Sequence, residues 1–504
     1  MKYTIIISLL LINSVVRSQP FNLTVNNGIG SNVYNEGDTV HIWSNAIFGD
    51  SVFVDWAGTD SSYLTHNNEW HTTLIIPVNT NIGSIIINAN YDVIPFSTQI
   101  DSTSYLLFGE NNGTQSNITK ECIYAIPPSP KGIVFLFHGT GGSGKSFFHK
   151  YENYNLIKDL VFDGYAVFTL DANEVTMGDQ DGNGKLRWIA SNAATANPEN
   201  NIDILNIQTL KDSVINEFNF SLNIPCFSLG MSNGAVFSDI CASALNFNAS
   251  AHVTAKGNPD TYTRPDIVPI IWVMSDNDHN DSADNAAAFN NYLIMNTTQT
   301  AEWYLLKPSP LYSKRFLRSL NIISEEQSDS VFQRLLTNGF LDDDNFLSVL
   351  DINLIPINLL DDLDFSLNQK LDIRRQLLIV NADHVLHSDF NKNIIRFFNQ
   401  TLSTSTINDN GIDADTYQLN YKIYPNPFNP ITTIRFDIPL EVSYTSSLQI
   451  YNITGHLVES LFNEIFKPGI HEIQWNASKH SSGIYFAKLT VGNQVKTQKL
   501  VFVK

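Results

Sequence analysis

The sequence predicts an α/β domain built on a largely parallel sheet, with an all-β segment before it and a β-sandwich after it. Three observations carry this. Between about 97 and 400, the runs Ile133–Phe137, Gly164–Leu170, Cys226–Leu229 and Ile267–Met274 are apolar at nearly every position, as strands covered on both faces are. They alternate with segments of helical spacing, such as Ile204, Leu205, Ile207, Leu210, Val214 and Phe218. Residues 19–96 instead alternate short β-rich runs with Gly/Asn turns, and 417–504 do so again after a Ser/Thr/Asn/Asp-rich linker at 401–416. A chain of 504 residues is too long for one ordinary domain, so three are expected.

The most informative element is Gly230-Met231-Ser232-Asn233-Gly234, directly after an apolar run and ahead of the helical pattern Ala235–Leu245. It reads as a nucleophile elbow, a tight strand-to-helix turn whose glycines avoid collisions with neighbouring backbone and leave the serine hydroxyl open to attack. Upstream, the run Ile133–Phe137 leads into His138-Gly139-Thr140-Gly141-Gly142, where an α/β-hydrolase places its oxyanion hole. Thr140 and Asn233 are the expected backbone donors. Downstream, Ile267–Met274 ends in Ser275-Asp276-Asn277-Asp278, with Asp278 chosen over Asp276 as the triad acid. A third apolar run, Gln376–Val380, is read as a strand leading into Asn381-Ala382-Asp383-His384, with a helix starting near Asp389. His384 is the candidate base because it lies nearer that run's end than its competitor His387. The chain order Ser, Asp, His is the one this fold uses. The expected fold class is therefore an α/β-hydrolase fold, and the expected chemistry is carboxylic ester cleavage through an acyl-enzyme with no cofactor.

Two motifs compete with this reading. Gly139–Ser146 satisfies G-x-x-x-x-G-K-S after a strand, and Val167–Asp171 resembles the second half of a nucleotide site. His138 ahead of the glycines, the ordered triad and an export signal argue against nucleotide binding. Asp179-Gln180-Asp181-Gly182-Asn183-Gly184 imitates the start of a calcium loop, but Ala190 stands where the bidentate acid belongs, so a polar turn is expected and no metal. Arg187 and Trp188, just beyond it, are expected on the substrate side.

With its HGTGG-type loop and GMSNG, the domain resembles the exported esterases that include polyhydroxybutyrate depolymerases and feruloyl esterases. That resemblance implies small-molecule or polymeric ester substrates. The interval from Asp278 to His384 is long for the group and holds an insertion, about 308–372. In it, Ser324 and Gln327 suggest a capping box, Val331, Phe332, Leu335 and Leu336 form one apolar face, and Gly339 ends the helix. A helical cap over the site is expected, with Asp342-Asp343-Asp344 as a solvated turn. The N-terminal segment resembles a bacterial extracellular β-repeat through Asn27–Ser31, Val40-His41-Ile42, Phe53, Trp56 and Gly58; it is read as an accessory module with Phe53 and Trp56 in its core.

Residues 1–18, with Lys2, the run Ile5–Ile12 and Ser18, read as a signal peptide too short to span a membrane. The net charge of −20 disfavours nucleic acid and anionic lipid as partners. Cys226 and Cys241 are expected to be buried; a bridge involving Cys122 stays open. Tyr424-Pro425-Asn426-Pro427-Phe428-Asn429-Pro430, Ile450–Gly455, Pro468-Gly469 and Ser482–Phe486 together resemble the type A C-terminal sorting domain of the type IX secretion system. This implies the secretion machinery as a partner and delivery outside the cell or onto its outer surface. Two alternatives remain open at this point: a surface binding protein that keeps a hydrolase scaffold without turnover, and a serine peptidase of the same fold.

Overall fold

The computed structural model describes residues 20–404 apart from 59–60, 79–82, 95–99, 191–196 and 281–283, and residues 421–504 apart from 439–443, 453–456, 467–468 and 492–493. The expected signal peptide, most of the expected linker, and the Ile453–Gly455 and Pro468 portions of the sorting-domain motifs lie outside the described residues. The chain divides into two compact units, Met1–Ser405 and Thr406–Lys504.

The heart of the first unit is an eight-stranded sheet: β1 (Asp101–Asn111), β2 (Thr114–Ala125), β3 (Gly132–Phe137), β4 (Tyr165–Thr169), β5 (Cys226–Met231), β6 (Ala249–Val253), β7 (Ile270–Ser275) and β8 (Ala301–Leu306). Their order is β8-β7-β6-β5-β3-β4-β2-β1, with β3 to β8 parallel and β2 antiparallel to both its neighbours. This is the strand order of the α/β-hydrolase fold. The β1–β2 hairpin was not anticipated. Its burial alternates along much of β1, as befits a hairpin at the edge of a sheet, so it carries no continuous apolar run.

The helices used below are α1 (Tyr151–Phe162), α2 (Ile202–Glu217), α3 (Asn233–Ala244), α4 (Asn285–Met295), α5 (Glu325–Thr337), α6 (Leu367–Val380) and α7 (Asn391–Thr404). They cover both faces of the sheet, which explains the uninterrupted apolar strands. Along β3, Phe135 and Phe137 enter one core with α2 and α3, while Val134 and Leu136 enter the other with α1 and α7. Cys122, Cys226 and Cys241 are all free and buried in these layers, so no bridge forms among them.

One expectation is corrected. Gln376–Val380 is the last part of helix α6, not a strand. Ser366 caps the helix reciprocally with Gln369, and Ile373, Leu377 and Val380 recur at helical spacing on its buried side. The strand before His384 is therefore β8, and the helical insertion runs from beyond Leu306 to Val380 rather than ending at 372. It has its own core, in which Phe316, Val331, Leu335, Ile352 and Ile373 meet. Helix α5 begins with the expected Ser324–Gln327 capping box and ends before Gly339, whose φ is +74°. Asp342 folds its turn by accepting from the Asp344 and Phe346 N–H groups.

Residues 20–94 form a β module of two sheets, one of four strands and one of three. Phe53 and Trp56 lie in its core as expected. The module is bolted to the α/β domain: Lys158 of α1 donates to the Gly49 and Ser51 carbonyls, and the Tyr151 hydroxyl bonds both the N–H and the carbonyl of Ile47. Tyr312, at the entry to the insertion, enters the module's core with its ring 4.5 Å from that of Trp43.

The second unit is an antiparallel sandwich. A three-stranded sheet (421–424, 431–438, 469–476) and a four-stranded sheet (444–452, 457–466, 483–491, 494–502) enclose Ile434, Phe436, Leu448, Ile450, Trp475, Leu489 and Leu500.

Candidate active site

Ser232 occupies the turn between β5 and α3 with φ 58° and ψ −124°, a conformation a side chain adopts only where the surroundings impose it. Its N–H donates to the Val253 carbonyl at 2.9 Å, and its own carbonyl accepts from Ala235 and Val236. The glycines are obligatory. A Cβ on Gly230 would stand 2.0 Å from the Gly234 carbonyl oxygen, and one on Gly234 would stand 2.4 Å from the carbonyl oxygens of Phe137 and His138. The first closure makes the turn, and the second presses α3 against the end of β3.

That pressure brings the loop after β3 to the serine. A Cβ on Gly139 would lie 3.3 Å from the Ser232 Cβ, so the two backbones touch at this point. Asn233 is the first residue of α3, where a helix leaves its N–H without an intrahelical acceptor. The Thr140 N–H likewise has no acceptor among the described residues. The rest of the loop is fixed: Gly141 donates to the Leu186 carbonyl, Gly142 to that of Gly139, and Gly144 to the Asp171 carboxylate at 2.7 Å. The nucleotide reading fails here. The N–H groups that would cradle a phosphate are committed, Asp171 is a loop staple, and the following helix spans only Gly144–Phe148.

His138 is a strut. It is buried, its Nδ1 pairs with the Gly139 carbonyl at 2.8 Å, and its Nε2 accepts from the Ala172 N–H. Burial lowers its pKa. Trp188 is also a strut, which corrects its expected place facing substrate. Its ring is 1% exposed, stacks on Phe237 and donates from Nε1 to the His138 carbonyl at 2.9 Å. Its backbone exchanges hydrogen bonds with the Asn233 amide, so it braces the elbow from behind. Arg187 turns its guanidinium to Asp181 at 3.2 Å. Oxygens of Glu174, Asp179 and Asp181 come within 4.8 Å of one another. Asp179 accepts from Gly182 and Gly184, and Glu174 from Gln180 and Arg187, so these carboxylates knit the polar turn.

Asp278 and His384 meet. The Asp278 Oδ2 lies 2.6 Å from the His384 Nδ1, with the carboxylate side chain 0% and the imidazole 19% exposed. The second carboxylate oxygen accepts from the Asn280 N–H at 2.9 Å. Asp276 is exposed and makes no such contact. Asn277, which the sequence did not single out, ties the acid turn to the histidine loop: its N–H donates to the Ala382 carbonyl and its amide to that of Asn381, both at 3.0 Å. Ala382 takes φ +56° to make that turn. Burial first, and then the Asp278 charge, raise the pKa of neighbouring Asp383, which receives the His384 N–H at 2.7 Å. His387 points elsewhere. It is fully buried, with Nδ1 3.3 Å from Asp389.

No curated protein matches the chain significantly. Solved structures similar to it include a dienelactone hydrolase from Anabaena variabilis, 15% identical over 47% of this chain and 97% of that one with a TM-score of 0.30. A thermostable esterase is 12% identical over 57% of this chain and 91% of that one, with a TM-score of 0.29. PorZ, a surface component of the type IX secretion system of Porphyromonas gingivalis, is 21% identical over 17% of this chain and 11% of its own, with a TM-score of 0.13. Residues 422–504 match the family described as the secretion system C-terminal sorting domain. The chain thus carries the tail that marks proteins for the type IX machinery, which delivers them to the outer surface or releases them.

Proposed function

We propose that the protein is a secreted serine esterase in which Ser232 attacks the carbonyl of a carboxylic ester, His384 is the base and Asp278 orients it. The observation that carries this reading is the elbow at Ser232 on the same strand ends as a buried carboxylate paired with a half-open imidazole. A carboxylate can only accept, so the pairing fixes the proton on Nδ1 and leaves Nε2 as the basic nitrogen. In the proposed cycle, Nε2 takes the Ser232 proton as Oγ bonds to the carbonyl carbon. The Thr140 and Asn233 N–H groups receive the oxyanion. The imidazolium then protonates the leaving alkoxide, and water, deprotonated by the same nitrogen, releases the acid and restores the serine.

The test is the intact mass of the mature chain after exposure to an alkyl fluorophosphonate, wild type beside Ser232→Ala. One adduct on wild type alone is expected, followed by turnover of aryl and alkyl esters without turnover of the matching amides. A folded wild type that takes no adduct would overturn the esterase reading, and amide turnover at a comparable rate would replace it with a peptidase.

A further inference from the structure

We propose that the N-terminal β module is part of the catalytic apparatus: Trp70 and His71 of the module, with Glu152 and Arg318, are positioning residues that fix Ser388 and Asp389 and through them the orientation of His384. The inference rests on His384 being the base of the reaction proposed above.

His384 lies in the segment 381–390 that links α6 to α7, and a base on a connecting segment is only as well aimed as that segment's two ends. Upstream, Asn277 holds Asn381 and Ala382. Downstream, the hold comes from a buried ion pair to which every neighbouring region contributes. The Arg318 guanidinium, from the entry to the cap, binds both carboxylate oxygens of Glu152 on α1, at 2.8 and 2.6 Å. It also donates to the Ser388 hydroxyl at 3.0 Å, and that hydroxyl in turn donates to Glu152. Gln376 of α6 donates to Glu152 at 3.0 Å. The β module closes the site: the Arg318 Cζ lies 3.6 Å from the centre of the Trp70 ring, with the Tyr151 ring on it at 4.8 Å. At the next residue, His71 of the module reaches Asp389 with Nδ1 to Oδ1 at 3.4 Å.

The chemistry favours a positioning role over simple cohesion. Module and cap each have an extensive apolar core, the module's shared with Tyr312 from the entry to the cap, so cohesion between them does not depend on the salt bridge. A buried ion pair gains little net stability over apolar residues of the same size, while removing one partner leaves a charge stranded. What a bidentate guanidinium, stacked on an aromatic face and shared with a hydroxyl, does supply is one fixed geometry. The residue it fixes, Ser388, is four positions from the base. Burial pushes Glu152 upward, but Arg318 outweighs it and holds the carboxylate below its usual range, so the pair stays charged.

The test measures fluorophosphonate labelling of Ser232 per folded molecule, together with kcat and KM for an ester, in the full mature chain. Ser388→Ala, Arg318→Lys and Trp70→Leu are set beside Trp70→Phe and beside Val331→Ala, which thins the cap core without touching the histidine segment. A displaced base costs on the order of 10-fold to 100-fold. Ser388→Ala and Arg318→Lys are expected to label at least about 10-fold more slowly, with kcat reduced and KM held. Trp70→Leu is expected to follow in the same direction. Trp70→Phe, which keeps the aromatic face and gives up only an Nε1 that has no hydrogen-bond partner among the described residues, should stay near wild type. Val331→Ala should lose stability and keep its rate per folded molecule. Wild-type rates in the first three variants would overturn the positioning role while leaving the esterase intact. An unlabelled wild type would overturn both.

Discussion

Two aspartate–histidine pairs lie in the α/β domain, one beyond the end of β7 and one between α3 and β6, and they differ in what surrounds them. Asp278 and His384 meet at 2.6 Å with the imidazole 19% exposed, and the acid also accepts from the Asn280 N–H. Asp239 on α3 and His252 on β6 meet at 2.7 Å with exposures of 1% and 0%. Asp239 is saturated: the hydroxyls of Tyr262 and Ser250 also donate to it, at 2.8 and 2.9 Å. The His252 Nε2 is buried with no hydrogen-bond partner among the described residues. The same two residue types at nearly the same distance thus give a partly exposed imidazole, the base of the reaction proposed above, in one pair, and a rivet between helix and strand in the other.

The comparison breaks most visibly at the two ends. His384→Ala should lower labelling of Ser232 by about four orders of magnitude at a cost in stability of only about 1–2 kcal/mol, since the removed ring is partly exposed and water can replace it at the Asp278 carboxylate. Asp239→Ala should do the reverse. It strands a buried imidazole and two hydroxyls, and a loss of about 3–5 kcal/mol is expected in urea unfolding, with the labelling rate per folded molecule unchanged. A slowed rate in that variant would mean that the inner pair also aims the elbow.

A smaller effect sharpens the picture of the rivet. Tyr262 reaches Asp239 across Gly257, where φ is +76° and a Cβ would stand 1.7 Å from the tyrosine oxygen. Gly257→Ala should therefore cost about 2–3 kcal/mol, measured by the same unfolding, from the overlap and the backbone together. The smallest effect concerns a histidine whose ring partner is not a carboxylate. His41 faces His71 at 2.9 Å, and burial, then the neighbouring ring, depress its pKa to about 4. Between pH 6.5 and about 4 the unfolded chain binds a proton that the folded chain refuses, so stability present above pH 6.5 is lost as pH falls through that window. His41→Phe should flatten the decline of the urea midpoint from pH 7 to pH 4.5; an unchanged slope would remove His41 from the acid response.

How much of this the sequence discloses depends on the range of the interaction. The elbow is legible because Gly230 and Gly234 flank the serine at fixed positions, although only Gly230 is required by a local contact and Gly234 by the distant Phe137 and His138 carbonyls. Asp278 and His384 are legible because the chain order serine, aspartate, histidine is fixed in this fold, although His384 follows a helix and only Asp278 follows a strand. The α6 segment was misread because Gln376–Val380 is too short for its period to show, and the informative signal, Ser366 with Gln369, lies upstream of it. Trp188 was misread because an aromatic beside a polar turn looks exposed when its neighbours Phe137 and Phe237 are unknown. The Glu152–Arg318 pair was invisible, its members 166 residues apart. Asp239, a lone charge among the apolar residues of Ala235–Ala244, is the one local sign of an internal site that pattern reading could have used.

The three cysteines give the exported chain a property of a different kind. Cys122, Cys226 and Cys241 are unpaired, and burial pushes the Cys226 thiol up to about 12. The fold is therefore finished without an oxidant, and reductant should neither loosen nor strengthen it. Each thiol is also a silent clock: a maleimide reaches it only when the layers part, so the alkylation rate in native buffer counts how often the sheet comes apart.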